Sequence, residues 1–180
     1  MVEPFDDWQQ ITISFVESLV KMSEKLSGDN QQLLVINCAK TWQEVERERV
    51  YICPAEQGSY NHKPSRYFGL YRTMKVSHVA NIEAVVKVFP DETTQFEWIT
   101  GGGREQDYQQ KALTYALNLR PRTDLPVKVF ILGILQETDF KKDTRGSMQG
   151  SKQYIDVSKL NVDSAGFLAM KLRGKTWADF

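Results

Sequence analysis

Arg66-Tyr67-Phe68-Gly69-Leu70-Tyr71-Arg72, followed by Val76-Ser77-His78-Val79-Ala80-Asn81-Ile82-Glu83-Ala84-Val85-Val86-Lys87-Val88-Phe89, sets the fold class of this 180-residue chain. Both runs read as strands, the second long, rich in valine and isoleucine, and closed by Pro90-Asp91-Glu92. Alternation along the first puts Phe68 and Leu70 on one face and Tyr67, Gly69 and Tyr71 on the other. Two tyrosine rings flanking a glycine, with arginines at either end, are expected to form an outward platform on which a planar group stacks. The competing expectation is that the tyrosines cover a second hydrophobic layer beneath a helix.

Working outward, Leu33–Cys38 reads as a buried strand, Ala39–Arg49 as a helix with Trp42 and Val45 inward, and Val50–Cys53 as a strand ended by Pro54. A turn-rich loop, Ala55–Ser65, leads into the tyrosine strand, and Thr94–Thr100 adds another strand. Gly101-Gly102-Gly103 precedes a helix, Arg104–Leu119, with Tyr108, Ala112, Tyr115 and Leu119 on one face. Val127–Leu135 is apolar on both faces except for Lys128, as a central strand would be. A polar loop over Asp139–Ser151, a strand at Tyr154–Val157 and a helix from about Asp163 to Gly174 complete the chain. At the other end, Trp8, Ile11, Phe15, Leu19, Met22 and Leu26 recur at helical spacing, predicting an N-terminal helix over about Pro4–Leu26 that packs on the core or docks a protein partner.

The expected architecture is therefore a single α+β domain over residues 1–180, a mixed, largely antiparallel sheet or small open β-barrel with flanking helices. Residues 1–30 supply the N-terminal helix, 31–160 the barrel core and 161–180 the C-terminal helix. No regular βαβ alternation, repeat or interdomain linker is present.

Formal charge is zero, with 23 Lys and Arg against 23 Asp and Glu, which excludes a globally basic nucleic-acid coat. Charge is segregated all the same. Residues 61–75 carry four Lys/Arg and no carboxylate, and residues 141–152 carry four against Asp143 alone. The expected ligand site joins these segments. Tyr67 and Tyr71 stack, Arg66, Arg72 and Lys75 meet phosphate, and the second loop contributes Arg145, Gly146, Gln149 and Lys152. Cys38 and Cys53 are expected as free buried thiols in a reducing compartment; with no apolar run of membrane-spanning length and an acidic N-terminus, the expected location is cytoplasmic.

Val50-Tyr51-Ile52-Cys53-Pro54, Arg66-Tyr67-Phe68-Gly69-Leu70-Tyr71 and the valine-rich strand Val76–Phe89 together resemble PUA-like modules, the superfamily that includes ASCH, EVE and YTH domains. The resemblance spans about residues 36–157 and is one of strand order and spacing. It implies a small, mostly closed barrel with flanking helices that reads RNA or a modified DNA base, in some members within prokaryotic defence and modification-sensing systems. Phe68-Gly69-Leu70-Tyr71 also resembles the core of the RRM strand motif, but the preceding basic-glycine pair is absent and the helix order does not fit.

Catalytic patterns are sparse, so binding without catalysis, and without a cofactor, is the expectation. His62, His78, Cys38 and Cys53 lack the paired spacing of a zinc site, and no Gly-x-Ser-x-Gly elbow or His-Glu-x-x-His motif occurs. The triglycine before a helix has neither the lysine nor the hydroxyl residue of a P-loop and reads as a connector. The one catalytic alternative is Asp124 with Asp139-Phe140-Lys141, a spacing similar to PD-(D/E)xK nucleases, in which two carboxylates hold a divalent metal and the lysine positions water. It requires the apolar run to turn near Gly133, since one continuous strand would hold the carboxylates apart.

Overall fold

The computed structural model describes residues 31–56, 58–146 and 148–180, with the side chains of Ser59 and Gln149 excepted. The expected N-terminal helix and its docking role lie outside the described residues. Eight strands form one mixed sheet that does not close: β1 (Gln32–Asn37), β2 (Val50–Pro54), β3 (Tyr67–Arg72), β4 (Lys75–Val88), β5 (Thr94–Ile99), β6 (Val127–Leu132), β7 (Gln136–Lys141) and β8 (Lys152–Asp156). Among the described residues three α-helices accompany them, α1 (Trp42–Glu48), α2 (Glu105–Leu119) and α3 (Ala165–Leu172). Only β1 and β3 pair in parallel; every other pair of named strands is antiparallel, as the patterning predicts.

β4 is the spine. Its first half lies between β3 and β7, its second half between β5 and β6, and β1, β8 and β2 extend the two halves outward. The β3–β4 hairpin turns on Thr73 and Met74, both with positive φ, the backbone that a two-residue turn needs to match strand twist. Along β4 the inward side chains change parity: Ala80 and Ile82 face the inner core, and so does Val85, whereas Val79, Ala84, Val86 and Val88 face outward. The register slips against β6 between Ile82 and Ala84, so Glu83 is the extra residue that switches the faces and increases the local twist. A similar slip against β7 lets Val76 and Val79 share the outer face.

This twisting lets both halves of the sheet enclose one inner core, in which Leu34, Ile36, Phe68 and Leu70 of one half meet Tyr51, Val85, Trp98 and Phe130 of the other. The outer faces are covered separately. α2 lays Tyr108, Ala112 and Ala116 over β4 and β6, and α3 lays Leu168, Ala169 and Leu172 over β3, β4 and β7. Leu168 and Leu172, fully buried, contribute about 1.5–3 kcal/mol each, and each alanine about one methyl group's share of that. Ser164 caps α3 by accepting the Phe167 N–H through its hydroxyl.

The sheet stays open between its edges β2 and β8, and the segment 55–65 straps that gap. Ala55 N donates to Pro126 O (3.0 Å), Lys128 Nζ to Tyr60 O (3.2 Å), Lys152 Nζ to Asn61 O, and Lys63 N to the Tyr154 hydroxyl (2.9 Å). His62 is inserted inward, its ring edge-on to Phe130 at 5.0 Å. The mostly closed barrel implied by the PUA-like resemblance is thus, among the described residues, a coiled open sheet whose gap a loop fills. No described helix is long and apolar enough to cross a membrane. Cys38 and Cys53 are free and buried, and burial pushes both thiols up to about 12.

Candidate functional site

The tyrosine platform does not face outward. Tyr67 is fully buried and Tyr71 is 8 % exposed, both under α3 and the C-terminal tail. Tyr67 Oη donates to the Val162 carbonyl (3.2 Å), and Tyr71 packs against the Trp177 ring at 5.6 Å with its hydroxyl 3.4 Å from Met74 Sδ. The space at Gly69 admits no ligand: a Cβ there would meet Leu33, Val35 and Val76 side chains at 3.2–3.3 Å. With both faces of β3 covered, the layer-beneath-a-helix expectation holds and the stacking expectation is corrected.

The cations around it are occupied one by one. Arg66 donates to the Asp163 carbonyl (2.5 Å) and lies 5.4 Å from the Tyr67 ring, tying β3 to the approach of α3. Arg72 stacks over Trp42 at 3.9 Å, and Lys75 pairs with Asp139 at 3.3 Å. Lys152 reaches across the gap to Asn61, and the Gln149 side chain is outside the described residues. Arg66, Arg72 and Lys75 therefore face three different neighbours and do not converge.

Arg145 does border an open concavity, a cleft of about 300 Å³ on the β8 side of the sheet, whereas Gly146 is not part of its lining. Its construction begins at the tail. Thr176 and Asp179 form a reciprocal cap on the turn Trp177–Asp179, Ala178 N donates to Asp143 (3.1 Å), and Thr176 bridges to Lys141. These bonds fold the tail back onto the 141–146 loop, with Phe180 edge-on to Phe140 at 5.5 Å. Trp177 and Phe180 then form one wall, Gln153 and Ile155 of the edge strand a second, and Lys142, Arg145 and Met148 a third, while the Tyr154 ring turns to the inner core.

Two cations serve this cleft differently. Lys142 is buried, with its ammonium on the carbonyls of Thr144 and Gly146 (2.7 Å to the latter) and 5.5 Å from the Trp177 ring, so it shapes the loop. Arg145 is exposed and has no bonded partner among the described residues. Asp156 is held below the usual carboxylate range by the Ser158 hydroxyl and amide, and Asp143 by Thr176 and then the Ala178 amide; both carboxylates are engaged locally. Trp177 Nε1 is a buried donor without a partner among the described residues. Sequence reasoning found the cationic loop but missed Trp177 and Phe180. The cue was the pattern Thr176-x-x-Asp179 framing a terminal tryptophan.

The nuclease arrangement is not formed. β6 and β7 run in succession along the same side of β4, pairing Val127 with Val88 and Lys141 with Lys75. About 40 Å of strand, at roughly 3.3 Å per residue, therefore lies between the Asp124 and Asp139 ends, because the break at 133–135 does not reverse the chain. Asp139 is paired with Lys75 and Lys141, and no trio of His, Cys, Asp or Glu among the described residues could hold a metal ion. The triglycine is a connector: Gly103 N donates to Tyr108 Oη (3.1 Å), and a Cβ at Gly101 or Gly103 would collide with that hydroxyl.

No protein-family model matches the chain, and no curated protein or solved structure does either.

Proposed function

We propose that this protein is a non-catalytic recognition module for nucleic acid or a nucleotide-like ligand, held in the cleft of Trp177, Phe180 and Arg145. The observation that carries the reading is the meeting of two aromatic side chains, Trp177 and Phe180, in one concavity with an exposed arginine that has no bonded partner among the described residues. Rings offer a base a stacking surface worth about 1–3 kcal/mol, and the guanidinium offers a phosphate its charge-assisted bonds. The PUA-like side of the reading is supported by the succession of β2, β3 and β4 around one inner core, and membership of a prokaryotic defence or modification-sensing system stands with that resemblance. Free buried thiols suit a cytoplasmic setting.

The test is a titration of single- and double-stranded oligonucleotides and mononucleotides at two salt concentrations, with the wild type and Arg145→Gln. Affinity is expected to fall roughly tenfold in the variant at low salt, with a shallower salt slope. Absence of binding at low salt, or identical affinities for both proteins, overturns the reading.

A further inference from the structure

Among the described residues, the large apolar side chains left in solvent are Met74, Ile134, Phe167, Met170 and Phe180. Phe180 belongs to the cleft, and the other four are gathered around α3. That helix buries Ala165, Leu168, Ala169 and Leu172, one stripe at helical spacing, so Phe167 and Met170 share the opposite side, 56 % and 61 % exposed. Ile134, 67 % exposed, stands beside the first turn: a Cβ at Gly166 would lie 3.9 Å from the side chain of Gln136, two residues after it. Met74 stands at the other end, where its carbonyl accepts from Lys142 N (2.8 Å) and Lys175 O accepts from Lys141 N (3.3 Å). A helix side meant for water carries polar residues at such positions, so this one is built to be covered.

The place where the described chain starts says what covers it. Gln31 O accepts from Val157 N (2.9 Å), and its side-chain amide, turned to satisfy both neighbours, donates to Val162 O (3.3 Å) and accepts from Arg66 (2.9 Å). Val162 lies two residues before Ser164, the cap of α3. Residues 1–30 therefore join the described structure beside the first turn of α3, and they hold the apolar stripe of Trp8, Ile11, Phe15, Leu19, Met22 and Leu26. Ser27-Gly28-Asp29-Asn30 links that stripe to Gln31. Four residues span up to about 14 Å, and packed helices lie about 8–10 Å apart, so the link reaches the outer side of α3. A helix running back from there is antiparallel to α3. At about 1.5 Å per residue, Leu19, Met22 and Leu26 come level with Phe167 and Met170, and Glu17 with Lys171 and Arg173. Charge agrees: residues 1–30 carry six carboxylates against Lys21 and Lys25, whereas residues 164–178 carry Lys171, Arg173 and Lys175 and no carboxylate.

We propose that the outer side of α3 is the docking surface for the chain's own N-terminal segment, with Leu19, Met22 and Leu26 packed as an antiparallel helix on Phe167 and Met170. Ile134 extends the contact at one end of α3, and at the other Glu17 meets Lys171 while the rest of the stripe continues toward Met74.

The experiment is disulfide trapping in the full chain at low protein concentration. Met22→Cys with Met170→Cys is expected to close within one chain under mild oxidation, read as a monomer of raised mobility on a non-reducing gel; Leu19→Cys with Met170→Cys samples the neighbouring turn. Cys38 and Cys53 are buried and do not compete. Met22→Cys with Glu105→Cys, at the start of α2 over the other half of the sheet, is expected to stay reduced. In the chain without added cysteines, Phe167→Ser is expected to speed hydrogen exchange of the amides of residues 11–26 roughly tenfold while β3 and β4 exchange as before. Should that variant fail to fold, Met170→Gln gives the same readout. Closure within one chain by either Met170→Cys pair, together with the faster exchange, supports the proposal. Disulfides formed only between chains assign the face to a second copy and overturn it, as do closure by neither pair, equal closure by the Glu105→Cys pair, or exchange unmoved by the substitution.

Discussion

The face of β3 and the cleft beside β8 are built from the same materials, tyrosine or tryptophan rings beside arginine and lysine, and the fold treats them in opposite ways. On β3 each ring lies under α3 or the tail and each arginine is tied to a carbonyl or an indole. Beside β8 the rings of Trp177 and Phe180 border a concavity, with Arg145 at its edge bonded to none of the described residues. The difference is position in the sheet. β3 is interior, paired on both sides and roofed by a helix, whereas β8 is an edge whose outer side is met only by loop and tail. Aromatic and cationic composition alone therefore does not mark a binding surface; the same residues serve as mortar where neighbours exist and as a receptor where they do not.

The sharpest way to break this contrast is Tyr67→Ala. A sealed ring costs about 3–5 kcal/mol when truncated, measured by denaturant unfolding, and Tyr67→Phe about 1 kcal/mol for the lost bond to Val162. A cost below about 0.5 kcal/mol would place the ring at the surface and erase the distinction.

Acid titration asks on which side of the contrast the strap belongs. The buried His62 has its pKa depressed to about 4 from 6.5, so between those values the unfolded chain binds a proton that the folded one does not. Stability is therefore expected to fall by about 3 kcal/mol as pH drops from 6.5 to 4, and His62→Phe to flatten that slope. A pH-independent Tm across this window in the wild type would mean that the imidazole is solvated.

Smaller effects sharpen the comparison on its polar side. Arg72→Ala is expected to lose about 0.5–1 kcal/mol through its stack on Trp42, since that site is near the surface. Arg145→Gln is expected to change unfolding free energy by less than about 0.5 kcal/mol while lowering ligand affinity, which separates an arginine spent on the fold from one left for a partner.

Elements whose signals are local could be read directly. The apolar run within Leu33–Cys38 and the Val50–Cys53 run ending at Pro54 correspond to β1 and β2, and the helix over 104–119 to α2. β7 was not legible, because Gln136-Glu137-Thr138-Asp139-Phe140-Lys141 is polar at five of six positions and becomes a strand only by pairing with β4, with Thr138 and Phe140 turned toward α3. The parity switch at Glu83 was equally hidden, since nothing in a valine-rich run says which residue will bulge. At the candidate site, the loop with Arg145 and Gly146 could be picked out by charge. The burial of Tyr67 and Tyr71 could not, because the helix and tail that cover them lie about a hundred residues downstream and owe their placement to packing. Trp177 and Phe180 were missed for the same reason.

An unclosed sheet also governs how the molecule meets its own copies. One side of β8 has no strand partner among the described residues, so its outward amides and carbonyls form a template that a foreign strand can extend. Its brevity and its Lys152, Gln153 and Asp156 guard against that extension with charge and polarity. Self-association under mild destabilisation is accordingly expected to begin by edge-to-edge zippering at this strand, and the ionic side chains there act as gatekeepers of colloidal stability.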